Sequence, residues 1–172
     1  MRAILLVLSA AAAFVGGCSR DGSTAGRGGG GGGEGAVASL QGSDCGHTSC
    51  GSNFFIDAAQ SSDCAPGANC AIAISLVATG EFHINDDYPY KFRADDAPHL
   101  TFQGTDPAGP NVFSKLGSNW HKMGPQKGTM SVVFQSAEKG TRNVSGTFKL
   151  SVCSAHNCQL EQTSLTTPVS VR

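Results

Sequence analysis

The 172-residue chain sets 12 Lys and Arg against 13 Asp and Glu for a formal charge of −1, with 15% charged residues, 23 glycines and seven cysteines. That charge excludes a general attraction to nucleic acid or to an anionic membrane surface, and the basic residues are too scattered along the chain to form a local basic patch. The length suits one domain plus processing segments, since domains run about 100–200 residues, and many cysteines among few charges point to an oxidising compartment.

Arg2 supplies a positive start, and Ala3 to Val15 is an apolar run too short to span a bilayer, so residues 1–17 read as an export signal. The run ends in Val15-Gly16-Gly17-Cys18-Ser19. An aliphatic residue, two small residues and a cysteine resemble the bacterial lipobox. The resemblance implies a diacylglyceryl thioether on Cys18, cleavage just before it and acylation of the new amine. Each buried CH₂ adds about 0.8 kcal/mol of membrane affinity, so two or three acyl chains anchor stably. Ser19, where Asp would retain the chain at the inner membrane, resembles outer-membrane sorting. The expected location is the bacterial cell envelope, at the outer membrane and facing the periplasm.

Residues 18–42 contain Gly28 to Gly33 unbroken, with Ser, Thr and Ala around them. Glycine loses the most backbone entropy on ordering, so this segment reads as a flexible tether. A phosphate loop is excluded, because no Gly-Lys-Ser/Thr ending, preceding strand or following helix accompanies the glycines. About 23 residues of such coil span roughly 25 Å on average, enough to hold a domain off the membrane.

The folded domain is expected over residues 43–172, starting near Cys45. Cys45-Gly46-His47-Thr48-Ser49-Cys50 places a histidine between two cysteines, and Asn53 to Ala59 is a strand or a cap. Cys64 and Cys70 flank Pro66-Gly67, a strong turn signal. Ile72, Ile74, Leu76 and Ala78 then point one way and Ser75 and Thr79 the other, the period of a half-buried strand. Gly80 breaks that run; Glu81 to Asn85 is extended, Asp86-Asp87 a polar turn, and Tyr88 to Arg93 alternates with its aromatics on one face. Pro89 marks a strand entrance or edge, because it cannot donate a ladder hydrogen bond.

His99 to Phe102 is a short strand, Gly104 to Asn111 a loop, and Val112 to Leu116 a strand or a linker. Gly117 to Gly128 reads as mostly loop around Trp120, whose ring, with His121, is a candidate for a partner-facing surface. Met130, Val132 and Phe134 mark a strand, Glu138 to Asn143 a polar turn, and Val144 to Val152 and Leu160 to Val171 the last two strands. No stretch sustains a 3.6-residue period. Short strands with turns every 8–12 residues predict an all-β fold, an immunoglobulin-like β-sandwich with local disulfides.

Two motifs bear a family likeness. Gly80-Glu81-Phe82-His83-Ile84-Asn85 followed by Tyr88-Pro89-Tyr90-Lys91-Phe92 resembles the Gly-x-x-His-x-Asn and Tyr-Pro elements of DsbD amino-terminal-like domains, the disulfide-bond corrector family. Phe148 to Cys153, then Cys158 and Thr167-Pro168-Val169-Ser170-Val171, resembles that family's last hairpin, with a cysteine on each strand. The likeness covers about residues 71–172. It implies an immunoglobulin-like fold in the periplasm and, in redox-active members, a pair at the positions of Cys153 and Cys158 that takes electrons from a membrane-bound donor. This chain differs where Gln159-Leu160-Glu161 follows Cys158, since redox members tend to have prolines there.

Three roles are open to the cysteines. As staples, Cys45, Cys50, Cys64, Cys70, Cys153 and Cys158 pair locally, although six cysteines allow 15 connectivities and a bond from Cys50 to Cys64 or Cys70 stays open. As a redox centre, Cys153 and Cys158 would be the catalytic pair, with His156 in the loop favouring a thiolate when protonated. As a metal clip, thiolates joined by His47 or His156 suit zinc or Cu(I). Hydrolase chemistry is not indicated: Asp86-Asp87 and Asp95-Asp96 are adjacent pairs that read as solvated turns, and no Gly-x-Ser-x-Gly elbow is present. His83, between Phe82 and Ile84, is expected to be a hydrogen-bonded, half-core residue.

The reading taken is a membrane-anchored binding or structural module that is not an enzyme, with no cofactor and no nucleic-acid partner. Its partners would be the membrane, through Cys18, and a periplasmic protein. Thiol–disulfide exchange through Cys153 and Cys158, which would make it a thiol–disulfide oxidoreductase with a redox partner, is the alternative. Cys/His metal binding is a second alternative.

Overall fold

A computed structural model describes residues 45–172. The expected export signal, Cys18 and the expected glycine-rich tether lie outside the described residues. Eleven strands and no helix make up the described chain, so no helix there is long and apolar enough to cross a membrane.

The strands are β1 (Ser49–Cys50), β2 (Phe54–Gln60), β3 (Cys70–Ala78), β4 (His83–Ile84), β5 (Lys91–Ala94), β6 (Leu100–Phe102), β7 (Val112–Ser114), β8 (Trp120–Lys122), β9 (Lys127–Ser136), β10 (Gly140–Cys153) and β11 (Cys158–Val171). They form two sheets, antiparallel throughout. One runs β1-β2-β3-β9-β6, with β8 also on β9; the other runs β11-β10-β5-β7, with β4 also on β10. This is the immunoglobulin-like sandwich the strand spacing predicts, with three local disulfides at strand ends.

The period-two pattern works as expected in the long strands. In β3, Cys70, Ile72, Ile74, Leu76 and Ala78 are buried and the residues between them only half so; β9 repeats this with Met130, Val132 and Phe134. From the facing sheet, Phe92, Phe113, Phe148, Leu150, Val152 and Leu165 fill the other half of the core. Burying a side chain of this size contributes about 1.5–3 kcal/mol, so these alternating rows carry the drive to pair the sheets.

Four local expectations change. Trp120 is not a loop residue on a partner surface: it starts β8, is buried, and stacks on Tyr90 with ring centroids 4.1 Å apart at 12°. Its indole lies across Gly128, where any Cβ would collide with the ring, so the glycine of β9 makes the space that takes it in. His83 is exposed rather than half-core, because Phe82 and Ile84 both turn inward and alternation puts the histidine on the outside. The polar stretch from Glu138 holds a shorter turn than expected, since β10 already begins at Gly140, opposite Val171. The last strand starts at Cys158, two residues earlier than its apolar pattern indicates.

Candidate functional site

β10 and β11, 14 residues each, form a hairpin in continuous register from Gly140↔Val171 to Cys153↔Cys158. The two cysteines are therefore direct cross-strand neighbours, disulfide-bonded with Cα atoms 4.0 Å apart. The loop between them closes on itself. The Ser154 N–H donates to the Asn157 carbonyl at 2.8 Å, and Ser154 Oγ accepts from the His156 and Asn157 N–H groups at 3.2 and 3.3 Å. These bonds fix a tight turn and leave the His156 side chain exposed at its tip.

Parity decides which face the pair occupies. Phe148, Leu150 and Val152 point into the core, so Thr147, Lys149, Ser151 and Cys153 point outward. Cys153 is 6% exposed but outside the core cluster, whereas Cys158 is exposed. On the other side of Cys153 stands His83 of β4, paired with it in register. One row of the outer face thus reads His83, Cys153, Cys158. The next holds Ser151 and Leu160: Asn85 Nδ2 donates to Ser151 Oγ at 3.3 Å, the Tyr90 hydroxyl donates to the Ser151 carbonyl at 2.6 Å, and Leu160 is 67% exposed. Burial pushes the Tyr90 hydroxyl far above its ordinary pKa, so it stays a donor.

The third row is Gln162, Lys149, Lys91 and Ser114, and the fourth pairs Thr147 with Arg93 and Val112. Here the structure corrects the expectation of no local basic patch. Lys149 and Lys91 are distant in sequence, but register sets them side by side with Arg93 two residues along β5. With Thr147 and Gln162 they line a cavity of about 250 Å³. The loop carrying Asp106 covers the β7 end of this face, so Val112 and Ser114 are buried although their register turns them outward. Asp106 is itself buried. It accepts from Ser114 Oγ at 2.5 Å and from the Ala108 N–H at 2.8 Å, and lies 3.7 Å from Lys91 Nζ. Those two hydrogen bonds, with Lys91 beside them, hold its carboxyl below the usual range.

The other predicted residues lie elsewhere. Cys45 bonds to Cys50 and Cys64 to Cys70, so the Cys50-to-Cys64 or Cys70 pairing does not occur. His47 stacks on Phe55 at 3.9 Å, and its Nδ1 is 2.9 Å from Asp57 Oδ1, which pins the first disulfide loop onto β2. Among the described residues no three His, Cys, Asp or Glu side chains come together to hold a metal ion, at His47, at His156 or elsewhere. The carboxylates of Asp86, Asp87, Asp95 and Asp96 are exposed, and Asp86 is ion-paired with Lys122 at 2.6 Å. Lys91, Arg93, Lys149, Leu160 and His83 are the face residues that linear reading missed or placed otherwise. The signal for them was strand parity combined with a register that spacing alone does not supply.

No protein-family model and no curated protein matches the chain. Among solved structures, the ASH/PapD-like domain of human CEP192 (PapD-like domain 7) is similar over 68% of this chain and 86% of that one, at 11% identity and a TM-score of 0.27. A likeness that slight carries no weight for function, and the sandwich stands on its own strand order.

Proposed function

We propose that the chain is a cell-envelope lipoprotein, anchored through Cys18, whose disulfide-stapled sandwich is a binding module for a periplasmic protein. The observation that carries this reading is the joint occurrence of the Val15-Gly16-Gly17-Cys18 motif and a domain in which all six remaining cysteines are paired. Oxidised cysteines of this density belong to exported proteins. The glycine-rich stretch between them supplies reach, so the domain meets its partner away from the bilayer. A Cys18→Ser variant should leave the membrane fraction under a detergent-free wash that retains the parent chain. Retention of that variant would contradict the anchor.

A second reading, thiol–disulfide exchange, is favoured by the asymmetry of the hairpin disulfide. Cys158 is exposed and Cys153 is buried beside His83. A thiolate from a partner dithiol attacking Cys158 Sγ would form a mixed disulfide and release Cys153 as thiolate. His83, its register neighbour on β4, would stabilise that leaving group by hydrogen bonding; the partner's second thiol would then resolve the mixed disulfide, leaving the partner oxidised and the hairpin reduced. Redox titration, with Cys153→Ala as control, separates the two readings. A potential well below about −300 mV marks the bond as a staple and ends the relay reading.

A further inference from the structure

The row of Lys149 and Lys91 places like charges directly opposite each other across two strands, which weakens a sheet. Arg93 adds a third positive charge on the same face. Of the three, only Lys91 has an acidic neighbour among the described residues, Asp106 at 3.7 Å; Arg93 and Lys149 form no ion pair there. Glu161, next to Gln162 on β11, falls on the opposite parity and cannot serve. A chain whose formal charge is −1 thus gathers three cations in one cavity, Arg93 and Lys149 without an ion pair among the described residues, at a cost to its own sheet.

We propose that this outer face of β5, β10 and β11 is a docking groove for an extended acidic segment of a protein partner. The inference names the surface of the binding module described above and rests on that reading. Lys91, Lys149 and Arg93 would pair with its carboxylates, Gln162 and Thr147 would hydrogen-bond to it, and Leu160 would take an apolar side chain. The geometry suits a strand-like ligand. Alternate side chains of an extended chain lie about 6.7 Å apart on one side, the same repeat that separates Arg93 from Lys91 and the rows of β10. Successive rows then ask for acidic, acidic and apolar side chains at alternate positions, with the Leu160 row lying between the cations and the hairpin disulfide. A single phosphate fits less well, because the cations spread over two rows and Lys91 leans toward Asp106. A bilayer surface fits less well too, since the site is a cavity capped at one end by the Asp106 loop.

The test uses the purified full chain and a fluorescein-labelled peptide, Ser-Glu-Thr-Glu-Thr-Val-Ser, in a low-salt anisotropy titration. Binding should be saturable and at least tenfold weaker when both Glu are replaced by Gln. The Arg93→Gln/Lys149→Gln double variant should lose at least tenfold in affinity while its thermal midpoint stays level or rises, because a like-charge contact has been relieved. Lys139→Gln, an exposed lysine outside the groove, should bind as the parent does. Equal affinity for parent and double variant would overturn the proposal. So would an absence of peptide binding alongside Arg93- and Lys149-dependent binding of inorganic phosphate or of phosphatidylglycerol vesicles, which would assign the groove to a small anion or a membrane. The assay reads no localisation, so a silent groove leaves the Cys18 anchor standing, and a failed anchor test leaves the groove to be judged by the peptide alone.

Discussion

Asp106 is a carboxylate with a side chain only 3% exposed, satisfied by Ser114 Oγ, the Ala108 N–H and the nearby Lys91 ammonium. Hydrogen bonds to a charged group contribute about 1.5–3 kcal/mol, so Asp106→Asn should destabilise the domain by about 1–3 kcal/mol at pH 7. The sign of the pH dependence follows from its lowered folded pKa. The carboxylate's contribution is fully present above its ordinary unfolded value, about 3.9, and is lost as pH falls through the lower folded value. Urea denaturation of both forms at pH 7 and near pH 2 should therefore show a gap that narrows in acid. A gap that stays constant would mean that the charge contributes nothing. Asp106 also reaches the groove, because the loop it anchors caps the face where Lys91 and Arg93 stand.

At the scale of elements, the β10–β11 hairpin organises the second sheet: β4 and β5 both add to β10, and β11 forms the outer edge. That edge is closed toward its end. Pro168 lacks a donor, Gln60 takes both backbone groups of Ser170 at 2.8 and 3.2 Å, and the Arg172 N–H donates to the Cys64 carbonyl at 2.8 Å. Cys153–Cys158 closes the other end of a hairpin already in full register. Cross-linking so short a loop should contribute less than the roughly 3 kcal/mol expected for a 15-residue loop. The Cys153→Ala/Cys158→Ala double variant should keep its β circular dichroism and unfold with a loss below that figure; collapse of the fold would show the bond to be essential. The long strands were legible because an alternating run with one buried face announces itself over seven or more residues, as in Cys70–Ala78 and Lys127–Ser136. β8 was not, because three residues carry too little pattern and because the pocket for Trp120 is made by Gly128 on another strand. The basic groove was hidden for the same reason: Lys91 and Lys149 meet only once β5 and β10 pair.

For the whole molecule, a small charge-poor domain gains definition from a packed two-sheet core and three short covalent loops, and one sheet keeps a chemically graded outer face that is exposed at Arg93, Lys149, Leu160 and Cys158. Along that face the side chains pass from cations through Leu160 to the Cys153–Cys158 disulfide, roughly 13 Å along β10 from Lys149 to Cys153 at about 3.3 Å per residue. A partner seated on the cations would thus extend toward the disulfide, so the binding and exchange readings share one surface and differ in whether the bond opens. The anchored-module reading further requires that the chain be exported, lipidated and oxidised. Intact mass spectrometry of the membrane-extracted protein, alkylated under denaturing conditions without reductant, tests all three together. The predicted species begins at Cys18, carries the mass of a diacylglyceryl group on that residue and takes up no alkylating agent. A species that retains residues 1–17, or that alkylates at an unmodified Cys18, would contradict the account.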